Sequence, residues 1–225
     1  MPASYPAPSN EQSRLLAIQK YSIAAAFQEP FFQELINLAA GIFGLPVAFL
    51  SLVEGTQVNF PATHGVPDLH TLPREAALCS LAVQHQQTVV LNHISQASDS
   101  PQWRTAQRFQ LEFYAGAPLL VEQGHAVGAL CLSDHQARTF TEQEESVVEE
   151  LAAVVSQAIT ARWQYLAEEN GAQHWQAVQH EAIAQVHILL GVVRHLSAGH
   201  AQPVPTPDAL LHVVRRRLAA LKQVF

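Results

Sequence analysis

The sequence predicts an α+β fold, in which an antiparallel sheet is flanked by helices and is followed by a long helix and a helical hairpin. One observation is a β-hairpin pattern from Phe113 to Asp134, with apolar residues alternating along the first strand and small residues on the second. The other is that apolar residues recur every three or four positions after Thr141. Strands are therefore expected as far as Asp134, and helices beyond it.

The segment before this hairpin predicts further helices and strands. Apolar residues have helical spacing in three stretches, of which the second begins with Pro30 and the third follows Pro73: residues 10–28, 30–44 and 74–85. Short β-rich runs predict the two strands of a first hairpin and a central strand: residues 47–53, 57–62 and 88–91. Residues 64–73 are predicted as a loop. Residues 92–108 show no regular pattern, and such a long excursion usually carries function or covers a pocket.

The C-terminal part predicts three helices. Thr141 and Glu144 form a capping-box pattern at the start of a long helix, which Asn170 and Gly171 end. Residues 174–196 then predict a helix with a heptad-like apolar stripe. Residues 197–207 form a proline-bearing connection, and residues 207–225 predict a last helix. Because a two-helix hairpin cannot bury such a stripe alone, we expect two copies to form a four-helix bundle, and the chain to be a homodimer.

With 225 residues the chain has room for one full domain and a smaller appendage. The patterns divide it into a disordered N-terminus, a globular domain, a connecting helix and a helical hairpin, at residues 1–12, 13–160, 161–172 and 173–225.

Composition and charge argue against several classes of protein. The formal net charge is −7 with only 12 Lys and Arg, so a nucleic-acid partner is not expected, because neutralising phosphates needs clustered cations. The N-terminus lacks the basic start and apolar core of a signal peptide, and no apolar run is long enough to span a membrane. We therefore expect a cytoplasmic protein. No His or Cys cluster has zinc-binding spacing, so no metal site is predicted.

The two cysteines, Cys79 and Cys131, lie inside apolar segments and have no CxxC spacing. Buried free thiols are the favoured interpretation. A disulfide or redox pair is the alternative, and a reducing compartment makes it the less favoured one.

Several ordered motifs resemble GAF domains over residues 31–159. They are the hairpin VAFLSLVEGTQVNF at 47–60, Pro73-Arg74-Glu75 followed by Leu78-Cys79, the strand FYAGAPL at 113–119 and the strand GALCLSD at 128–134. The resemblance implies a GAF/PAS-like sheet and a pocket for a small molecule, which in this family is a cyclic nucleotide, a bilin, haem or nothing identified. It does not name a cofactor for this chain.

Two departures narrow what the resemblance implies. Cys79 is followed by Ser80, whereas the cysteine that attaches a bilin is usually followed by histidine. Two cysteines are also too few for the members that reduce free methionine sulfoxide. The implied function is a signal-transduction sensor that binds a small molecule or senses redox state and passes the signal through a dimeric helical bundle.

The candidate pocket residues are mainly apolar and aromatic side chains on the predicted strands, on the excursion at 92–108 and at the Leu78-Cys79 motif. They are Phe49, Ser51, Cys79, Trp103, Phe109, Phe113 and Ala115.

The predicted helix at 174–196 carries His180-Glu181, and this hairpin resembles the dimerisation and phosphotransfer hairpin of sensor histidine kinases. In that reading His180 is the phosphoacceptor and Glu181 accepts its proton. Ile183-Ala184-Gln185 replaces the Arg-Thr-Pro usual in kinases, and no ATP-binding motif follows. The alternative function is therefore a phosphotransfer protein or degenerate kinase, whose phosphoryl group comes from a kinase or response-regulator partner.

Overall fold

A computed structural model describes residues 10–96, 100–197 and 205–225. The helices are α1 (Glu11–Lys20), α2 (Ile23–Ala26), α3 (Pro30–Phe43), α4 (Cys79–His85), α5 (Pro101–Arg108), α6 (Glu142–Leu166), α7 (Gly171–Ser197) and α8 (Asp208–Leu221). The strands are β1 (Val47–Val53), β2 (Gln57–His64), β3 (Thr71–Pro73), β4 (Val89–Leu91), β5 (Phe113–Val121) and β6 (His125–Asp134).

The six strands form one antiparallel sheet in the order β3-β2-β1-β6-β5-β4. The hairpin predicted at Phe113–Asp134 is confirmed as β5 and β6, and it lies beside β1 in the middle of the sheet. All seven residues of β1 are buried, which is typical of a strand covered on both faces. The α+β fold predicted from the sequence is confirmed.

The two faces of the sheet are covered differently. One face, which we call the helical face, packs on α3 and α6. The other, the cavity face, packs on α4 and on the segment that contains α5. Successive side chains of a strand point to opposite faces, so each central strand contributes to two separate apolar cores.

Several predicted elements differ from the observed ones. The helix predicted at 10–28 is two helices, because Ser22 has a φ of 48° and interrupts the helical backbone. The helix predicted at 74–85 is a 3₁₀ turn followed by α4, because Ala77 between them is extended. The strand predicted as central, at 88–91, is β4 at the edge of the sheet, where it pairs with β5 alone.

The two segments predicted as irregular contain regular structure. Within the predicted loop at 64–73, Thr71–Pro73 forms β3 and pairs with the start of β2. Within the excursion at 92–108, Pro101–Arg108 forms α5, whose first turn is capped by the Ser100 hydroxyl. Residues 97–99 and 198–204, and most of the predicted disordered N-terminus, lie outside the described residues.

The C-terminal helices α7 and α8 pack on α3 and α6 of the same chain. Their apolar stripes are buried in the core of the helical face: Trp175, Ala182, Val186, Leu189, Val193, Leu210, Leu211, Val214, Leu218 and Leu221. Polar contacts accompany this packing, since Glu29 accepts hydrogen bonds of 2.6 Å from both Arg162 Nε and Trp175 Nε1. The expectation that the hairpin needs a second copy to cover its stripe is therefore wrong. The homodimer remains a prediction, but the need to cover this apolar stripe no longer supports it.

A buried ion pair joins the start of α6 to the chain just before α8. The predicted capping box is present, with the Thr141 hydroxyl accepting from Glu144 N and Glu144 Oε2 accepting from Thr141 N. Glu144 is fully buried, and its Oε1 also accepts from Arg138 Nη2 at 2.6 Å and from the backbone and hydroxyl of Thr206. Arg138 Nη1 donates to the Phe43 carbonyl at the end of α3. The Glu144 carboxylate thus connects the start of α6 to the segment before α8 and, through Arg138, to the end of α3.

Replacing Glu144 with alanine is expected to lower the free energy of unfolding by about 3–5 kcal/mol, because it leaves the buried Arg138 guanidinium without its carboxylate. Urea unfolding of Glu144→Ala measures this loss. The matched control is Glu142→Ala, an exposed carboxylate in the same helical turn, with an expected loss of about 1 kcal/mol or less. Equal losses in the two variants would contradict the assigned role of Glu144.

Candidate functional site

A small cavity lies on the cavity face, between the sheet and the segment 66–111. Its volume is about 40 Å³. The walls are formed by Val47, Phe49, Phe60, Val66, Leu69, Leu72, Ala76, Ala77, Leu78, Cys79, Gln102, Thr105, Ala106, Phe109, Leu111 and Tyr114, none of which is charged. One water needs about 10–15 Å³, whereas pockets for drug-sized ligands hold about 300–1,000 Å³. A larger molecule therefore enters only if the walls move.

Three of the predicted pocket residues, Phe49, Cys79 and Phe109, line this cavity. Trp103 packs against the same core but is not part of the cavity wall. Ser51 is buried on the same face, where its hydroxyl accepts from Ala129 N at 3.0 Å and donates to Ala129 O at 3.2 Å. Its hydroxyl thus binds β6 rather than facing the cavity.

Two predicted pocket residues, Phe113 and Ala115, belong to the opposite core. The prediction assigned the wrong one of the two alternating sets of β5 side chains to the cavity. The residue of β5 that lines the cavity is Tyr114, which the prediction omitted. Ala115 and Ala117 face the helical layer, where α6 packs on β5, and alternation along the strand does not show which of its two faces meets the cavity. Phe60, Val66, Leu69 and Leu72 also line the cavity and were not predicted as pocket residues. Phe60 lies in the strand predicted at 57–62, and the other three lie in the segment predicted as a loop.

The Tyr114 side chain lies over the neighbouring strand positions of the sheet. A Cβ atom at Gly116 would be 2.1 Å from the Tyr114 hydroxyl oxygen, so the glycine at this position leaves room for the ring. The hydroxyl reaches Cys131, with 3.3 Å between the oxygen and Sγ. Tyr114 thus connects the cavity wall to the thiol of the adjacent strand.

The two cysteines lie in the apolar core of the cavity face, both fully buried, and Cys79 is part of the cavity wall whereas Cys131 is not. Burial raises the pKa of the Cys131 thiol well above its ordinary value, and the neighbouring Cys79 raises it further. Burial also acts to raise the pKa of Cys79, but hydrogen bonds from Cys131, Ser51 and the backbone outweigh it, and that pKa is lowered. Cys79 is therefore the more acidic thiol of the pair.

A charged cluster holds the segment that leads into α4. Glu11 binds both Arg14 and Arg74, with its Oε1 atom 2.8 Å from Arg14 Nη2 and 2.5 Å from Arg74 Nη1. Arg14 is fully buried and also donates to the Val53 carbonyl. The Arg74 carbonyl accepts from the Ser80 hydroxyl at 2.7 Å. The N-terminal helix α1 is thereby connected to the first turn of α4, next to Cys79.

The Glu11 carboxylate titrates far below its ordinary range. Burial acts to raise its pKa, but the hydrogen bonds and positive charges of Arg14 and Arg74 outweigh burial and lower the pKa from 4.5 to about 2. Because the folded pKa lies below the unfolded one, the carboxylate stabilises the fold fully above pH 4.5 and loses this contribution as the pH falls towards 2.

The site predicted at His180 and Glu181 lies on the other side of the molecule. Both residues are on α7, which packs on the helical layer, and both side chains are exposed. Glu181 accepts a 2.8 Å hydrogen bond from Gln185 Nε2. The structure therefore does not bring the predicted phosphotransfer residues together with the predicted pocket residues.

Within the described ranges, no cluster of three or more His, Cys, Asp or Glu side chains is arranged to hold a metal ion. Of the helices that the structure describes, none is long and apolar enough to cross a membrane.

The antiparallel sheet, with a covered cavity on one face and long helices on the other, defines a sensory α+β module of the GAF type. The sequence model of the GAF domain matches residues 27–160, more than half of the chain. The chain therefore belongs to the GAF domain family.

Individual relatives agree with this assignment. A cyclic di-GMP phosphodiesterase from Pseudomonas aeruginosa is 27% identical over 158 residues, which are 68% of this chain and 26% of that protein. The chain thus spans about a quarter of the length of this curated relative.

Solved structures share the fold at lower identity. The PixJ GAF domain of Thermosynechococcus elongatus in its blue-light absorbing form is 12% identical, with a TM-score of 0.52 over 75% of this chain and 98% of that one. A type II free methionine-R-sulfoxide reductase from Thermoplasma acidophilum is 15% identical, with a TM-score of 0.51 over 62% of this chain and 94% of that one. At these identities the similarity shows the fold alone.

Replacing Glu11 with glutamine is expected to destabilise the protein at neutral pH and to have progressively less effect as the pH falls from 4.5 towards 2. The measurement is urea unfolding of wild type and Glu11→Gln over this pH range. A difference in unfolding free energy that stays constant through the range would show that the Glu11 charge does not stabilise the fold.

Proposed function

We propose that this GAF domain is a signal-transduction sensor that binds a small, uncharged and mainly apolar molecule in its cavity, or responds there to redox state. The observation that supports this proposal is the composition of the cavity wall: its described residues combine apolar and aromatic side chains with a few neutral polar ones, and none of them is charged. A mostly apolar concave site with a small number of polar groups is the usual form of a small-molecule site.

Because none of the described wall residues is charged, the cavity favours a neutral ligand over a cyclic nucleotide. Burying a phosphate needs cations or aligned backbone donors, since an unpaired charge is very costly away from water. Arg74 lies two residues before the wall residue Ala76, and its Nη atoms already donate to the Glu11 carboxylate and to the Glu54 and Gly55 carbonyls. An apolar molecule avoids this cost and gains free energy from its burial.

The ligand signal is proposed to cross the sheet through β5. Tyr114 is part of the cavity wall, while its neighbours Phe113 and Ala115 pack on the helical face. The Phe113 ring lies 5.3 Å from the ring of Phe140, which precedes α6. Because the cavity is small, a ligand has to displace its walls, and a displaced β5 changes the packing of α6. Two arrangements of the sheet and α6, differently favoured by the ligand, are the requirement for such coupling.

The helices beyond α6 are the proposed output. The hairpin of α7 and α8 packs on α3 and α6, so a shift of α6 alters the surface that the hairpin contacts. The similarity to a cyclic di-GMP phosphodiesterase supports a place for this module in signal transduction. In this proposal the chain senses, and a partner or second domain carries out the response.

Phosphotransfer at His180 is our second proposal. It is supported by the exposure of His180 and the adjacent Glu181 on α7, where a phosphodonor has access to the imidazole. It ranks below the sensor because α7 packs on its own domain rather than on a second hairpin.

A panel of uncharged fragments, with indole as the reference compound, is expected to bind the wild-type protein, whereas cyclic AMP and cyclic di-GMP are not. Isothermal calorimetry measures the binding. Ala106→Trp fills the cavity, because Ala106 lies buried in its wall, and is expected to abolish fragment binding. Gln107→Trp adds the same ring at the next, exposed position of α5 and is the matched control.

Enlarging the cavity provides a second variant that does not depend on overpacking. Phe60→Ala removes a ring from the wall and is expected to strengthen fragment binding. Binding of cyclic nucleotides, or fragment binding that is unchanged in Ala106→Trp, would contradict the assigned site.

A histidine kinase or phosphorylated receiver domain that carries a radiolabelled phosphoryl group is expected, under the second proposal, to label the chain at His180. His180→Ala should lose the acid-labile label, and His174→Ala, another exposed histidine on α7, should keep it. Label that persists in His180→Ala would exclude this residue as the phosphoacceptor.

A further inference from the structure

The only two cysteines of the chain are distant in sequence and adjacent in the fold. Cys79 is the first residue of α4, and Cys131 lies in β6, against which α4 packs. Both thiols are buried in the apolar core of the cavity face, and each shifts the pKa of the other.

Their surroundings give the two thiols different access. Cys79 forms part of the cavity wall, whereas Cys131 does not. Cys131 is covered by the Tyr114 hydroxyl, which is 3.3 Å from its sulfur, and Ser51 interacts with both cysteines. A small molecule in the cavity therefore meets Cys79 first, with Cys131 directly behind it.

We propose that Cys79 and Cys131 are a reversible dithiol–disulfide pair that is oxidised by a hydroperoxide entering the cavity. This inference rests on the proposed function, because it assigns the redox response of the same site to two named residues.

The reaction balances in two steps. The Cys79 sulfur attacks the terminal oxygen of hydrogen peroxide, the O–O bond breaks, and the thiol proton leaves with the hydroxide as water, which gives a Cys79 sulfenic acid. The Cys131 sulfur then attacks the Cys79 sulfur and displaces the hydroxyl group, which takes the Cys131 proton and leaves as a second water. Both thiols are oxidised by one electron each, and peroxide is reduced to two waters. A dithiol reductant reverses the change.

The properties of the pair match these roles. The thiolate is the reactive form, and the lowered pKa of Cys79 favours it at the thiol that faces the cavity. The raised pKa of Cys131 keeps that thiol protonated until the sulfenic acid forms beside it. Disulfides of cytosolic proteins, where they occur, are usually transient and either catalytic or redox-sensing.

The disulfide would also change the shape of the cavity. Its two sulfurs are bonded at about 2.0 Å, well within the contact distance of two thiols. Forming the bond draws the start of α4 toward β6, and Ala77, Leu78 and Cys79 of the cavity wall move with it. Oxidation and ligand binding therefore act on the same wall.

Thiol counting tests the pair on the full chain without any ligand. Reduced protein is treated with hydrogen peroxide, unfolded, and reacted with a maleimide. We expect both thiols to be lost together, the intact mass to fall by two hydrogen atoms, and a linked peptide to contain Cys79 and Cys131. Dithiothreitol should restore both thiols. Two thiols that stay free, or a Cys79 that goes to sulfinic acid without linkage, would overturn the proposal.

Single variants separate the two roles. In Cys131→Ser the sulfenic acid at Cys79 has no partner and is expected to be trapped by dimedone, whereas Cys79→Ser should leave Cys131 unreacted. Circular dichroism under reducing conditions checks that each variant is folded, and Cys131→Ala is the replacement if the serine unfolds the core. Dimedone labelling at Cys131 in place of Cys79 would reverse the assignment and overturn it.

A variant outside the cavity wall keeps this test independent of the proposed ligand site. Cys131→Ala removes one thiol of the redox pair and leaves every wall residue in place, so it should still bind the uncharged fragments. Fragment binding without disulfide formation would refute the redox pair alone, and disulfide formation without fragment binding would refute the ligand site alone.

Discussion

The central constraint on this fold is that strands β1, β6 and β5 are buried on both faces. Their backbone groups are paired along the sheet, so each strand is committed to presenting alternate side chains to two separate cores. Each face then needs its own cover. Helices α3 and α6 supply it on one side, and α4 with the segment around α5 supplies it on the other. The cavity is the part of the second core that this thinner cover leaves unfilled.

The helices on the helical face also need to be covered on their outer side. Helices α3 and α6 are rich in buried apolar residues and would expose their outer surfaces if they ended the structure. The hairpin of α7 and α8 covers them, and its own stripe is buried in return. Glu144 adds polar contacts to this packing. Its Oε2 atom caps the start of α6 at Thr141 N, and its Oε1 atom accepts hydrogen bonds from Arg138 and Thr206. Helices α7 and α8 are thus part of the domain core.

Local patterns predicted much of the fold and part of the site. The alternation and small residues of 113–134 are local properties of a hairpin, and the Thr141-to-Glu144 spacing is a local property of a helix start, so both were predictable. The phase of β5 was not, because alternation shows that two faces exist without showing which one meets a cavity. Phe113 was therefore predicted to line the pocket, whereas Tyr114 lines it in the structure. The edge position of β4 was likewise beyond reach, since a short apolar run looks the same in the middle of a sheet and at its margin.

By itself, the sequence determined the family, the strands and helices that carry it, and the neutral, apolar character of the residues available for a pocket. The tertiary structure decided which of these residues meet. It buried the apolar stripe of the C-terminal hairpin against its own domain, brought Glu11 to Arg74, and placed Cys79 and Cys131 in one core beside the cavity. The physical reason is that such contacts depend on how helices and strands pack across the whole chain, whereas sequence patterns report the few residues that are neighbours along it.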